Sequence, residues 1–386
     1  MVVPVWIWVS PTWPKLTYDP ERLAGPLGRA RTESGRLLGK AEAIGAVELS
    51  LVQRDVWAGE AMATAAIEGE ALELASVRSS VARRLGITPN FATSAPRNVE
   101  GLLDVMESAV TDWNSELTEE RLCRWQAALF PGGGSALRPI DVGSYRSHAD
   151  PMRIVSGPIG RESVHYIAPP SAAVRAEMRS FLDWFNQTRE TSLDGVLRAG
   201  LSHVWFESIH PFEDGNGRVG RAVVDMALAQ DARAATRLHG VAAEMRRRQA
   251  EYYGALNHAQ RGTGEVTSWL EWFTNVVADS CRASTTMIDE ALVRARFWTE
   301  HKHASLNERQ RKVLNRMLEA GPGRYEGGLT PRKYAGTTNA SKATATREIA
   351  ELVSKGLLVR GKAAGRSTYY NLAIPAWGWP SGESDS

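Results

Sequence analysis

Near the middle of the chain the sequence reads His210-Pro211-Phe212-Glu213-Asp214-Gly215-Asn216-Gly217-Arg218-Val219-Gly220-Arg221. Gly215 and Gly217 leave room for backbone N–H groups to point at an anion where a helix begins. Arg218 and Arg221 are three residues apart and share one face of that helix, so both can bind one polyphosphate. No packing requirement explains these residue types at this spacing. The sequence therefore predicts a phosphate-binding site.

Three more side chains of the same loop suit phosphoryl chemistry. Asp214 offers a hard oxygen to Mg²⁺, which binds through one or two carboxylates and the phosphates of the substrate. His210 carries an imidazole, whose ordinary pKa suits it to take a proton from an attacking hydroxyl. Asn216 adds an amide donor between the two glycines. In-line attack on phosphorus needs little more than cations, oriented N–H groups and one base.

The run matches the Fic signature, His-x-Phe-x-(Asp/Glu)-Gly-Asn-Gly-Arg-x-x-Arg, at every specified position, so the chain resembles the Fic family. The resemblance implies a protein adenylyltransferase, which moves AMP from ATP to a Ser, Thr or Tyr hydroxyl and releases pyrophosphate. It makes His210 the base and Asp214 the Mg²⁺ ligand. Phe212 is expected to anchor the loop in the core. The loop residues assigned to ATP are Phe212, Asp214, Gly215, Asn216, Gly217, Arg218 and Arg221.

A second motif lies upstream, where Thr64-Ala65-Ala66-Ile67-Glu68-Gly69 fits the (Ser/Thr)-x-x-x-Glu-(Gly/Asn) inhibitory motif of some Fic proteins. The resemblance implies that Glu68 pairs with Arg221 and occupies the cation that should receive the γ-phosphate. Arginine and carboxylate suit such a pair. Taken alone, the motif is also compatible with an ordinary helical glutamate before a glycine cap. With the downstream signature, Thr64, Glu68 and Gly69 are interpreted as an inhibitory segment.

Two β-prone stretches around a Gly/Pro turn, between Met152 and Pro170, indicate a hairpin. In Fic proteins such a hairpin, the flap, aligns the target segment by strand addition. The residues interpreted as target-docking are Ile154, Val155, Ser156 and Gly157. A plain surface hairpin is the alternative. After the signature, Tyr252, Tyr253 and Leu256 resemble the family's Tyr-Tyr-x-x-Leu helix near the adenine, although tyrosines at helical spacing are more often core residues.

The chain has 386 residues with 43% hydrophobic content, which suffices for several domains. We expect a mainly α fold: a Fic-type helical core with a β-hairpin flap, an amino-terminal helical domain and a small winged helix-turn-helix domain. The expected boundaries are 1–95, 96–300, 301–375 and a tail at 376–386. Helical recurrence of apolar residues predicts helices over 20–44, 48–77, from 98 onward, and over 172–187, 193–209, 215–230 and 265–304. Residues 79–96 are expected to form a connection.

The amino-terminal arm carries Trp6, Trp8 and Trp13, which are expected to pack it onto the core. Cys123 and Cys281 are too few and too far apart for a disulfide framework or a zinc site. No apolar run approaches the roughly 20 residues of a membrane helix, and the apolar start lacks the basic leader and cleavage site of a secretory signal. The expected location is the cytoplasm, where ATP is abundant and thiols stay reduced.

The tail from 305 to 372 is strongly basic, whereas the rest of the chain is slightly acidic. Its pattern predicts helices over 307–320, 330–334 and 341–355, then strands over 356–360 and 368–372, which resembles a winged helix-turn-helix domain. The third helix would be the recognition helix. Its outward residues would be Lys342, Thr344, Thr346 and Arg347, with Lys362 and Arg366 on the wing.

Several alternatives stay open at this point. The carboxy-terminal domain is interpreted as binding DNA or, equally well, a protein partner. The whole chain could be a DNA-associated regulator whose Fic site senses a nucleotide. Within the enzyme class, removal of AMP from a modified target competes with its transfer. Self-modification and a homodimer are further options, and the sequence does not identify the target protein.

Overall fold

A computed structural model of the chain describes residues 6–87, 94–134, 140–156, 161, 163–235, 238–361 and 368–377. The contacts divide it into two compact units, Met1–Thr285 and Thr286–Ser386. The predicted mainly α fold is confirmed, because helices dominate both units and the described strands form only two short pairs. No described helix combines the length and the apolar character that a membrane span requires.

The first unit begins with a short 3₁₀ turn, Ile7–Val9, and its described residues then form eleven α-helices, a second 3₁₀ turn (Thr188–Glu190) and one strand pair. The elements are α1 (Pro20–Ala43), α2 (Ala46–Ile67), α3 (Leu74–Arg84), α4 (Arg97–Thr111), α5 (Glu119–Ala128), β1 (Arg153–Ser156), β2 (Ser163–Ile167), α6 (Ser171–Gln187), α7 (Gly195–Ile209), α8 (Asn216–Ala232), α9 (Val241–Arg247), α10 (Gln249–Ala259) and α11 (Thr267–Glu300). Helix α11 continues into the second unit.

Helix α7 forms the centre of the first unit. Every one of its residues is buried, as expected of a helix that other elements surround. Asp194 caps its first turn by accepting the backbone N–H groups of Val196 and Leu197. Helix α8 packs along α7, and α2, α4 and α5 pack on α8. The loop between α7 and α8 is therefore held by the most buried part of the chain.

The predicted helix over 48–77 is wrong as a single element. Helix α2 ends at Ile67, and α3 begins only at Leu74. The break comes at Gly69, whose φ of +79° is left-handed and incompatible with continued helix.

The predicted connection over 79–96 begins too early, because α3 runs on to Arg84. The Arg84 guanidinium pairs with Glu100, Asp104 and Glu107 of α4 at 2.7–2.8 Å. These pairs tie the polar end of α3 to the next helix. The other predicted helices are confirmed, with ends that differ by a few residues.

The tryptophan arm packs onto the first unit as expected. The Trp6 ring meets Tyr166 edge to face at 5.3 Å. The indole N–H groups of Trp8 and Trp13 donate to the carbonyl oxygen of Ile167 (2.8 Å) and to Glu177 (2.7 Å). The arm therefore braces β2 and α6.

The second unit contains α12 (Glu308–Ala320), α13 (Pro331–Thr338), α14 (Lys342–Ser354), β3 (Leu358–Arg360), β4 (Tyr370–Leu372) and a final 3₁₀ turn, Pro375–Trp377. Strands β3 and β4 pair antiparallel. This order agrees with the predicted one. The winged helix assignment itself stays a prediction, and Lys362 and Arg366 lie outside the described residues. On α14, Lys342, Thr346 and Arg347 are exposed and Thr344 is half-buried.

Candidate active site

The loop between α7 and α8 owes its shape to two left-handed residues. His210 ends α7 with φ +52°, and Gly215 begins α8 with φ +88°. Between them the Phe212 ring is fully buried, which agrees with its predicted role as an anchor. The Asn216 side chain accepts the Phe212 N–H (2.9 Å) and donates to the Phe212 carbonyl oxygen (2.7 Å). Asn216 is also buried, so its amide fixes the loop and is not the open anion donor that the sequence suggested.

His210 lies at the edge of this loop with 16% of its side chain exposed. Burial, and then the positive charge of Arg146, lower the pKa of His210 to about 4. The imidazole is therefore neutral at neutral pH and has a free lone pair for a proton. Its Nδ1 lies 3.7 Å from the carboxylate of Glu207, one turn earlier on α7.

Two buried side chains that sequence reasoning missed support the loop from behind. Arg146 donates to the carbonyl oxygens of His210 (2.8 Å), Pro169 (2.6 Å) and Ile209 (3.2 Å). Gln126 donates to the Asp214 carbonyl oxygen (3.3 Å) and accepts the backbone N–H of Gly143 (2.6 Å). Such hydrogen bonds hold the ends of a helix that would otherwise leave carbonyls unpaired.

The two signature arginines lie on the same side of α8, as predicted, and both contact the segment that follows α2. Arg221 donates to Glu68 (2.8 Å), to the Thr64 hydroxyl (2.5 Å) and to the Thr64 carbonyl oxygen (3.0 Å). The carboxylate of Glu68 is the first cause that raises the pKa of Arg221 against the effect of burial. Arg218 pairs with Glu70 at 3.2 Å and lies 3.6 Å from Asp214.

The Glu68 carboxylate also lies against the beginning of α8. A methyl group placed on Gly217 would come within 2.2 Å of Glu68 Oε1. The first turn of a helix attracts anions through its unpaired N–H groups. Glu68 therefore occupies a position that suits a phosphate, and the lack of a side chain at Gly217 makes this approach possible.

Asp214 is the signature carboxylate that lies beside Arg218, at 3.6 Å. Its Oδ1 accepts the Gly215 N–H at 2.6 Å, and 37% of its side chain is exposed. Among the described residues, no three His, Cys, Asp or Glu side chains gather into a metal-binding group. Mg²⁺ does not need such a group, because it commonly uses one or two carboxylates together with substrate phosphates. The donor set around Asp214 fits that mode.

The predicted hairpin is confirmed as an antiparallel pair of β1 and β2 with a shift in register after Ile154. Val155 and Val164 face solvent, 45% and 39% exposed. They line a cleft of about 670 Å³ that also includes His148, Asp150 and Glu213, next to the signature loop. Ser156 ends β1, while Gly157 lies outside the described residues. The docking role of the hairpin stays a prediction.

The three residues expected near the adenine are divided between core and surface. Tyr252 and Leu256 are buried, and the Tyr252 hydroxyl bonds to His203 Nε2 at 2.9 Å. Tyr253 is 41% exposed, and its hydroxyl donates to the carbonyl oxygen of Ile67 at the end of α2. Of the three, only Tyr253 offers an exposed ring beside the site.

Comparison with known proteins agrees with this geometry. Residues 116–228 match the Fic/DOC family. These residues form a Fic/DOC domain. Residues 6–87, upstream of the Fic domain, match a domain of unknown function (DUF4172). The Thr64–Gly69 motif lies in that upstream segment, and the signature lies in the Fic domain. The predicted Fic domain is therefore confirmed.

Relatives of the Fic domain include curated adenylyltransferases. A probable protein adenylyltransferase of Aquifex aeolicus is 33% identical over 102 residues, which are 26% of this chain and 29% of that protein. A protein adenylyltransferase Fic of Nematostella vectensis is 25% identical over 241 residues, 61% of this chain and 51% of that protein. The chain thus spans about half or less of the length of these two relatives.

Solved structures show the same fold. A Fic family protein from Desulfovibrio desulfuricans G20 superposes with a TM-score of 0.52 at 21% identity and covers 90% of this chain and 95% of that one. Fic-1 of Caenorhabditis elegans superposes with a TM-score of 0.50 at 19% identity, over 72% of this chain and 75% of that one.

Proposed function

We propose that the Fic domain transfers AMP from ATP to a Ser, Thr or Tyr hydroxyl of a protein, which includes this chain itself. The observation that carries the proposal is one site in which three features meet. They are the neutral imidazole of His210, the amino terminus of α8 with a carboxylate against it, and two arginines on α8. Adenylyltransferase relatives support the same chemistry. Because an ATP donor and two unpaired thiols suit the cytoplasm, we place the protein there.

In the proposed reaction His210 takes the proton of the target hydroxyl. The hydroxyl oxygen then bonds to the α-phosphorus, the bond from that phosphorus to the bridging oxygen breaks, and pyrophosphate leaves. Arg218, Arg221 and the N–H groups at Gly215 and Gly217 neutralise the phosphates. Asp214 would hold Mg²⁺, which would further neutralise phosphate charge when bound.

We further propose that Glu68 restrains this activity. Its carboxylate pairs with Arg221 and lies against Gly217. The outer phosphates of ATP would therefore meet a negative charge at the place where cations and N–H groups should bind them. A charge-assisted hydrogen bond of this kind is worth about 1.5–3 kcal/mol. Release of Glu68 should therefore raise transfer by about ten- to a hundredfold.

The test is labelling with α-³²P-ATP and MgCl₂ of the purified protein alone and with a cell lysate. Glu68→Gly should label more strongly than the wild type. His210→Ala in that background should lose about 10²- to 10⁴-fold in rate. Equal labelling by Glu68→Gly and the wild type would refute the restraint by Glu68. Absence of label in all variants, with ATP binding intact, would refute AMP transfer itself.

Removal of AMP from a modified protein is the second candidate. It is favoured by one observation: the Glu68 carboxylate lies against Gly217 and Arg221, so a second basic group is already present in the site beside His210. With water in place of the hydroxyl, the same loop would hydrolyse the ester. AMP release by the wild type but not by Glu68→Gly, from protein labelled by the Glu68→Gly variant, would favour removal over transfer.

The carboxy-terminal unit is proposed to contact DNA through α14. Its support is the exposed Lys342 and Arg347 on one helix of a basic module. A gel shift that weakens steeply between low and moderate salt would agree with phosphate contacts. Loss of protein partners but not of DNA binding on Arg347→Ala would favour the protein-binding alternative.

A further inference from the structure

Glu207, on the last turn of α7, has no role in the site as described so far. It is 6% exposed, and its Oε1 has no hydrogen-bond partner among the described residues. Nδ1 of His210 is also buried without a partner, 3.7 Å from Glu207 Oε2. The Glu207 backbone carbonyl also acts on this ring and raises its pKa, although no hydrogen bond forms at Nδ1. Two unpaired buried polar atoms, Glu207 Oε1 and His210 Nδ1, therefore belong to neighbouring side chains one helical turn apart, and such atoms call for an explanation.

The space for this carboxyl group is built into α8. A methyl group on Gly220 would come within 2.5 Å of Glu207 Oε1. Gly220 lies inside the signature, directly before Arg221, so the glycine lets the carboxyl group approach the helix. The charged and titratable groups that act on Glu207 are Glu68 after α2, Arg221 on α8, Tyr252 on α10 and His210.

We propose that Glu207 is a positioning residue for His210: when the site is engaged, its carboxylate accepts the Nδ1 hydrogen and stabilises the imidazolium formed as the target hydroxyl loses its proton. The inference rests on the proposed AMP transfer. Small rotations of two side chains would close the 3.7 Å gap to a hydrogen bond. A carboxylate partner fixes the tautomer and orientation of an imidazole base.

The electrostatics connect this role to the inhibitory segment. Burial, and then the charge of Glu68, raise the pKa of Glu207 to about 8, whereas Arg221 lowers it. Removal of Glu68 takes away one of the two raising causes. Glu207 therefore ionises at a lower pH once Glu68 has left, so a larger fraction of it is an anionic partner for His210 in the released state.

The experiment uses the full chain with Glu68→Gly as the active background. Adding Glu207→Gln keeps the shape but removes the charge. We expect kcat to fall by about ten- to a hundredfold with the KM for ATP unchanged. The background enzyme should also gain activity between pH 6 and 8.5 as Glu207 ionises, and the Gln variant should lose this gain. Glu207→Asp, which keeps a carboxylate, should retain part of it.

Equal kcat and pH profiles for Glu207→Gln and its background would overturn the inference. So would a loss that is the same at every pH and follows a lowered melting temperature, because that result indicates a structural role. If the Glu68→Gly background itself transfers no AMP, that result refutes the proposed function and is distinct from a failure of the role assigned to Glu207.

A second inference comes from the end of α2, where two hydrogen bonds close the helix around Gly69. The Gly69 N–H donates to the Ala66 carbonyl oxygen (3.2 Å), and the Glu70 N–H donates to that of Ala65 (3.0 Å). These are the paired bonds of a Schellman cap with glycine at the left-handed position. The cap turns the chain back, so that Glu68 and Glu70 both reach α8.

Glu70 then contacts the first signature arginine. Its Oε2 lies 3.2 Å from Arg218 Nη1, and its Oε1 accepts from the Asn98 amide on α4 at 2.6 Å. Arg218 is held further by Asp214 and by the Phe130 ring, 5.1 Å away. We infer that Glu70 is a second inhibitory carboxylate, which occupies Arg218 while Glu68 occupies Arg221.

This inference is tested by binding rather than transfer, so that it does not depend on catalysis. In a His210→Ala background, ATP with MgCl₂ is titrated calorimetrically into Glu70→Gln. Because the Glu70 side chain is one-third exposed, at 33%, we expect a modest tightening of Kd, about two- to fivefold. Glu73→Gln, on the same loop but bonded to Ser76, is the matched control and should bind as the background does. Unchanged or weaker binding by Glu70→Gln would overturn the inference.

Discussion

Gly69 is the residue on which the conformation of the proposed inhibitory segment depends most directly. Its φ of +79° closes the cap that brings Glu68 and Glu70 to α8, and a methyl group there would meet no heavy atom within 4 Å. Only the backbone conformation therefore opposes a larger residue. A non-glycine residue in this conformation costs about 1–2 kcal/mol. Gly69→Ala should lower the melting temperature by roughly 2–8 °C and raise basal AMP transfer, because the two carboxylates lose their fixed place.

Gly59 provides the control for this change. It lies inside α2, the helix that the cap at Gly69 closes, and its added methyl group also meets nothing within 4 Å. Unlike Gly69, it does not have a left-handed φ. Gly59→Ala should stabilise α2 by about 0.5–1 kcal/mol and leave transfer low. If the two variants shift the melting temperature equally, or if Gly69→Ala leaves AMP transfer unchanged, then the placement of Glu68 and Glu70 does not depend on the cap. Thermal melts and α-³²P-ATP labelling measure both effects.

The sequence predicted the residues of the loop better than the residues that support it. His210, Arg218 and Arg221 were evident because their spacing is fixed within twelve positions, and the predicted contact of Glu68 with Arg221 is present. Arg146 was not evident, since its side chain donates hydrogen bonds to carbonyl groups that lie more than 60 positions away in the sequence. Glu207 could have been noticed, because it precedes His210 by one helical turn. No spacing rule shows which distant side chain fills a helix end.

At the scale of elements, apolar periodicity predicted the helices and failed where a local backbone signal overrides it. The pattern of α2 continues past its end, so residues 48–77 suggested one helix, whereas Gly69 ends α2 through its left-handed conformation. The opposite error occurred in α3. Its polar carboxy-terminal end suggested a loop, but Arg84 stays helical because it pairs with three acids of α4. Periodicity reports burial of a face and does not report such long-range pairs.

At the scale of the whole molecule, buried and half-buried acids lie near the site in the first unit. Burial is the main cause that raises the pKa of Glu207, of Glu60 on α2 and of Asp225 on α8. These groups are protonated in the folded protein at pH values where the unfolded chain has lost those protons. Their contribution to stability is therefore complete below about pH 4 and is lost as pH rises through their folded pKa values, about 8 for Glu207.

Buried histidines change the stability of the fold with pH in the opposite direction, and they do so over a different pH range. Burial lowers the pKa of His203 to about 3 and that of His210 to about 4. Their contribution is present above about pH 6.5, the pKa of an unfolded histidine, and is lost as pH falls toward 4. Acids and histidines therefore offset each other below pH 6.5, and the effect of the acids dominates as pH rises from 6.5 to 8.

We consequently expect the melting temperature of the wild type to fall from pH 6.5 to pH 8.5. Each buried acid lowers the free energy of unfolding by at most about 1.4 kcal/mol per pH unit in this window. Glu60→Gln removes one titration while its amide oxygen can still accept the Ala243 N–H that Glu60 accepts at 2.7 Å. The slope of melting temperature against pH should therefore become shallower in that variant, whatever its absolute stability. Calorimetric melts at four pH values measure both slopes, and a wild-type melting temperature that stays level or rises would show that these carboxyl groups are already ionised in the folded protein.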